Sequence, residues 1–111
     1  MKKLENGWNT SVQGFEAGAS MAGIKKQGRY DVAVIASTVP AACGAVFTQN
    51  KFCAAPVILD REVNVGGYAQ AIVANSGCAN ACTGVKGYED AKAMQAQTAE
   101  LLGIKPEEVF V

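Results

Sequence analysis

Histidine is absent from this chain of 111 residues. Without it, the chain alone cannot build a Ser-His or Cys-His nucleophile pair or a zinc site of mixed Cys and His ligands. Net charge is missing too, because 10 Lys plus Arg balance 10 Asp plus Glu. There is no basic field to recruit nucleic acid and no basic amphipathic helix to lie on a membrane. The same neutrality gives weak protection against self-association. No apolar run approaches the ~20 residues of a membrane-spanning helix. Met1-Lys2-Lys3 reads as a start, but polar Leu4-Glu5-Asn6-Gly7 follows where a signal peptide would have an apolar core, which argues against a secretory leader. The expected location is cytoplasmic, so Cys43, Cys53, Cys78 and Cys82 face a reducing environment and are expected as free thiols.

The length suits one domain with one core, and such a chain buries roughly two thirds of its unfolded surface. Half of the residues are apolar, and much of that half is Ala and Val, which pack tightly but bury little area each. Residues 4–20 are polar and contain Trp8. Gly14-Phe15-Glu16-Ala17 and Met21 to Lys26 suggest short extended pieces, and Gly28 and Asp31 bracket a turn. Val32-Ala33-Val34-Ile35-Ala36 is an apolar run of strand length, consistent with burial on both faces, and Val39-Pro40 should break it. Further strands are expected over Ala42 to Thr48, Pro56 to Asp60 and Tyr68 to Ala74. Arg61 to Gly67 reads as a loop.

A helix is expected from about Tyr88 to Leu102. Ala91, Met94, Thr98, Leu101 and Leu102 would lie on its inner side, and Glu89, Asp90, Lys92, Gln95 and Glu100 largely outside. Glu89 and Asp90 would occupy the first turn, where the helix dipole favours anions. Gly103 sits where a left-handed cap is wanted, and Pro106 suits the first position of a single turn over Lys105 to Glu108. Val109-Phe110-Val111 then begins another strand, in which the chain stops. The fold class is therefore α/β, an α+β sandwich with a mixed sheet and a packing helix. The mid-strand stop is expected either of a short edge strand or of the first piece of a longer polypeptide.

The strongest concentration of polar chemistry is Asn75-Ser76-Gly77-Cys78-Ala79-Asn80-Ala81-Cys82-Thr83-Gly84, between a buried strand and a helix, where α/β proteins commonly place ligands. It could present backbone amides to an anion. The plainer reading, that the asparagines bond their own loop, is favoured. It lacks the Gly-Lys-Ser/Thr of a phosphate loop and the glycine spacing of a dinucleotide fold. Cys78 and Cys82, four apart as on one helical turn, could join Cys43 and Cys53 in a four-thiolate site. No close Cys-x-x-Cys pair supports this, and small buried apolar residues are the plainer reading. No metal is expected. Lys25-Lys26 could bind a carboxylate, against the plainer reading of a solvated pair. Trp8 and Phe15 are expected as packing anchors.

Several segments in this order and spacing resemble one family. They are Gly14-Phe15-Glu16-Ala17, Ala22-Gly23-Ile24-Lys25, Ala45 to Lys51 with Ala54-Ala55-Pro56-Val57, Ala74 to Gly84, and Leu102 to Val109. Together they resemble the N-terminal part of the ornithine acetyltransferases, the bifunctional glutamate N-acetyltransferases of arginine biosynthesis. The resemblance spans essentially the whole chain, and Asn75 to Gly84 is its most specific part. It implies an acyltransferase that moves an acetyl group from N-acetylornithine to glutamate, with acetyl-CoA as a second donor in some members. It implies no cofactor. It also implies a precursor that cuts itself before a threonine, whose own amine then serves as base in a ping-pong scheme needing no histidine. The implied fold is a sandwich similar in look to the N-terminal-nucleophile hydrolases.

The family cuts at an Ala-Thr bond, and no such dipeptide occurs here: Thr10, Thr38, Thr48, Thr83 and Thr98 each follow another residue. The family's Ser-Thr-Gly oxyanion motif would fall just after Val111. No catalytic or substrate-binding residue therefore carries over. Residues 1–111 are expected to be a single partial domain from the α-chain region, inactive alone. Its partners would be the remainder of its own polypeptide and the substrates N-acetylornithine and glutamate, with no nucleic acid and no membrane. The full enzyme is expected to be oligomeric. Asn75, Asn80 and Thr83 are expected to fix a turn beside the active site. The alternative is a stand-alone module that binds a small amino acid and catalyses nothing.

Overall fold

A computed structural model describes residues 5–111; the start read at Met1-Lys2-Lys3 lies outside them. Four strands form one mixed sheet in the order β1 (Phe15–Ser20), β2 (Val32–Ala42), β3 (Tyr68–Asn75) and β4 (Val109–Phe110). The first three run antiparallel, and β4 lies parallel to β3. Two helices, α1 (Ala55–Val65) and α2 (Gly84–Leu102), complete the α+β fold. α2 is the crossover that a parallel β3–β4 pair requires.

The core lies on one face of the sheet. Ala71 and Val73 of β3, Ala99 of α2 and Val109 of β4 are buried together, with Val34, Ala36 and Met94 packed against them. Alternation places Ala69, Ala71 and Val73 inward and leaves Tyr68 and Ile72 outward, 59% and 51% exposed. The burial expected on both faces of residues 32–36 is therefore realised on one. Ala17, Ile35, Ile72 and Phe110 form a lateral row on the other face, which no element among the described residues covers.

The expected strand over Pro56 to Asp60 and the loop after it are instead one helix, α1. Its buried residues are Ala55, Leu59 and Val63, at i, i+4 and i+8. That helical spacing runs through both expected segments. Pro56 suits the start of α1, where its missing N–H is no loss. The strand expected over Ala42 to Thr48 is also corrected, because only Ala42 belongs to a strand. Residues 43–48 alternate in burial as a strand would but have no ladder partner. They are tied to α1 through Ala45 N–H donating to Asn64 Oδ1 at 3.0 Å.

β2 passes Pro40 instead of ending there. The ladder to β3 breaks between Ala36 and Ala41 and then resumes, so the missing proline donor falls in the irregularity. α2 begins one turn earlier than expected, which puts Glu89 and Asp90 beyond its first turn. Gln95, expected outside, is buried, and its amide donates to the Val109 carbonyl at 2.9 Å. Leu101, expected inside, is 87% exposed. Gly103 closes α2 in the left-handed region at φ 69, with Ile104 N–H reaching back to the Ala99 carbonyl at 3.0 Å. Trp8 is 79% exposed and Phe15 38%, so neither anchors a core here. No helix among the described residues is long and apolar enough to cross a membrane.

Candidate functional site

The loop from Asn75 to Gly84 leaves β3 and enters α2, and its polar side chains bond mainly to the loop's own surroundings. Asn80 is the hub. Its amide donates to the Gly87 carbonyl at 2.6 Å, and its carbonyl oxygen accepts from the Thr83 hydroxyl. Its backbone oxygen accepts from Ala55 N–H at 3.1 Å, at the start of α1. Ala81 bridges Ala54 beside it. Asn75 makes a long contact with the Cys78 carbonyl, 3.4 Å. Thr83 precedes α2 without capping it through its side chain.

The close packing around Gly87 explains why that helical position carries no side chain. A Cβ there would fall inside the contact distance of both Thr83 Oγ1 and Asn80 Oδ1. Cys82 adopts a positive φ of 56, uncommon for a residue with a side chain. It stands in the loop, not on a helical turn with Cys78, and both thiols are exposed. The buried, apolar reading of these two cysteines is corrected by that exposure, while Cys43 and Cys53 are half-buried. Among the described residues no three of His, Cys, Asp and Glu gather as a metal site.

Asn75, Asn80 and Thr83 line one small open pocket of about 170 Å³ together with Met94 and Val111. Val111 is fixed from below: its N–H donates to Asp60 Oδ1 at 2.9 Å. Sequence reasoning missed Asp60, although a carboxylate ending an apolar run is a signal that something must partner it. Burial raises the Asp60 pKa above its ordinary 3.8, and the Val111 N–H partly offsets this. A second missed carboxylate is Asp31, which is buried at 8% exposure. It accepts from Ala22 N–H at 2.6 Å and Ile24 N–H at 2.7 Å. These donors, Ile24 first, hold its pKa below 3.8 against the opposing effect of desolvation.

The two shifts have opposite consequences for stability. Asp31 ionises more readily in the folded chain, so its stabilisation is present above pH 3.8 and is lost as pH falls through its lower folded value. Asp60 holds its proton more tightly when folded, so it costs stability as pH rises from 3.8 through its higher folded value. Asp60→Asn is therefore expected to melt higher than the parent at neutral pH, and Asp31→Asn lower. Both differences should shrink in acid, Asp60→Asn on the way down to pH 3.8 and Asp31→Asn only below it. Melting curves from pH 3 to pH 7 check this, and an Asp60→Asn difference independent of pH would contradict it.

The fold has close counterparts. The ArgJ family profile matches residues 16–111. The chain belongs to the ArgJ family. Among ArgJ relatives, the arginine biosynthesis bifunctional protein of Geobacter sulfurreducens is 50% identical over 101 residues, covering 91% of this chain and 26% of that protein. The Lactococcus lactis protein of the same name is 46% identical over all 111 residues, or 28% of its own length. The chain thus spans about a quarter of the length of these ArgJ relatives. The crystal structure of the Bacillus halodurans ArgJ protein superimposes with a TM-score of 0.93 at 44% identity, covering 99% of this chain and 58% of that one. The Mycobacterium tuberculosis ornithine acetyltransferase, crystallised with ornithine, gives 0.88 at 38% identity over 93% of this chain and 56% of its own.

Proposed function

We propose that this chain is the N-terminal part of a glutamate N-acetyltransferase that carries acetyl from N-acetylornithine to glutamate in arginine biosynthesis. The observation that carries the reading is the superposition of 93% of the chain on an ornithine acetyltransferase crystallised with ornithine. Residues 1–111 are a single partial domain. The reacting groups lie on the remainder of the polypeptide. There, the hydroxyl of a threonine exposed by self-cleavage attacks the acetyl carbonyl of N-acetylornithine, its own amine acting as base, to form an acetyl ester and release ornithine; the amine of glutamate then attacks the ester, giving N-acetylglutamate and freeing the threonine hydroxyl. No cofactor takes part, and acetyl-CoA serves as an alternative donor substrate. The working enzyme is cytoplasmic and oligomeric.

This chain's contribution is positional. Asn75, Asn80 and Thr83 hold the β3–α2 turn beside the active site, and Asp60 fixes the strand that leads out through Val111. The longer protein is expected to transfer radiolabelled acetyl from N-acetylornithine to glutamate, and the 111-residue chain to transfer none until the remainder is supplied. Absence of transfer by the longer protein, with saturable binding of N-acetylornithine by the short chain in calorimetry, would replace the enzyme with a binding module.

A further inference from the structure

The loop between β1 and β2 carries Lys25, Lys26, Arg29 and Tyr30, and the structure brings them against Ser76 and Gly77 at the end of β3. Together they line an open pocket of about 320 Å³. Asp31 also borders it, but both of its carboxylate oxygens accept from the Ala22 and Ile24 amides and so are turned toward the loop's own backbone. Among the described residues, no carboxylate lies within ion-pair distance of Lys25, Lys26 or Arg29. Three cations against one anion leave the pocket with two unbalanced positive charges.

The loop that carries these cations is held on three sides. Asp31 N–H donates to the Ser20 carbonyl at 3.1 Å, and Ser76 N–H donates to the Asp31 carbonyl at 2.8 Å. The Asp31 carboxylate closes the Ala22–Ile24 turn. Gly77 stands at φ 106, and a Cβ there would come within 2.9 Å of Lys25 Cβ. The β3 end and Lys25 are therefore closely packed, and a side chain at residue 77 would push them apart. The lysine pair at 25 and 26 thus belongs to an open, cationic pocket that Ser76 and Tyr30 also line.

We propose that this pocket binds a phosphate dianion, free or carried as the monoester of a small organic molecule. Two excess positive charges match a dianion better than a single carboxylate. Arg29 supplies the planar fork suited to phosphate oxygens, and the two lysines add compact charges. The pocket's size leaves space beside the phosphate for a group about as large as a pentose.

The test is calorimetry on the full-length protein with ribose 5-phosphate, inorganic phosphate and acetate as probes. Saturable binding of ribose 5-phosphate is expected, weakening as salt is raised. Acetate should bind at least roughly tenfold more weakly. Arg29→Ala should weaken phosphate binding roughly tenfold, and Lys26→Glu should abolish it. All three cations are exposed, so both variants should melt as the parent does. Tighter binding of ribose 5-phosphate than of inorganic phosphate assigns the site to esters, and equal affinity assigns it to phosphate itself. No saturable binding of either, acetate binding equal to phosphate, or phosphate binding unaltered in Arg29→Ala with the fold intact would each overturn the proposal.

Discussion

Gly87→Ala should destabilise the protein by about 1–3 kcal/mol, although alanine is the better helix former by about 1 kcal/mol. The propensity gain is outweighed locally. A Cβ at residue 87 would meet Thr83 Oγ1 and Asn80 Oδ1, and lie 2.6 Å from Thr83 Cβ. The two side chains must give way, an overpacking cost of about 1–3 kcal/mol. The Asn80 bond to the Gly87 carbonyl is strained with them, and a hydrogen bond is worth about 1 kcal/mol. Urea denaturation measures the difference. Adding Thr83→Ala should recover part of the loss, because the two sites are in contact and their effects are not additive. If Gly87→Ala alone raised stability by the full helix-propensity gain, Asn80 and Thr83 would not be packed on that helix as described.

Ile72→Lys should act in opposite directions on the short chain and on the longer protein. Ile72 is 51% exposed here, in the row with Ala17, Ile35 and Phe110. Beside it β4 is the two-residue edge strand of the sheet. An uncovered apolar sheet face favours association with another copy, and the zero net charge does little to oppose it. The 111-residue chain alone should therefore sediment as oligomers at micromolar concentration, and Ile72→Lys should shift it toward monomer. In the longer protein, where the proposed remainder covers this face, the same lysine would be buried without a partner. Stability should fall there by about 3 kcal/mol or more. Monomeric sedimentation of the unsubstituted short chain, with one cooperative melt, would refute the first half. A longer protein indifferent to Ile72→Lys would refute the second.

The errors in reading the sequence cluster where short-range pattern and tertiary contact disagree. Pro56-Val57-Ile58-Leu59 is apolar and of strand length, and a run of that size does not distinguish a strand from a helix. The structure settles it as helix: α1 runs unbroken from Ala55 to Val65 and buries Ala55, Leu59 and Val63 along one side. Residues 43–48 have a strand's alternation, but the sequence cannot show that no neighbouring strand is there to pair with them. Gln95 looked like a surface residue until the Val109 carbonyl, fourteen residues on, proved to be its partner. Asp31 and Asp60 were passed over for the same reason: each is defined by backbone amides that lie far off in sequence or fold back on it through a loop.

By itself the sequence determined the features that depend on local chemistry or on absence. The lack of histidine ruled out whole classes of site, the strand Tyr68 to Ala74 was legible as an apolar run of strand length, and Gly103 marked the end of α2 through its freedom to turn left-handed. The order of its motifs also identified the family. Tertiary structure alone decided that Asn80 and Thr83 lock onto Gly87. It also decided that Lys25, Lys26 and Arg29 meet Ser76 across one pocket, and that among the described residues one face of the sheet is covered while the other is bare. The physical reason is range: propensity and capping act over a few residues, whereas burial, hydrogen-bond partners and charge balance depend on which distant segments the fold brings together.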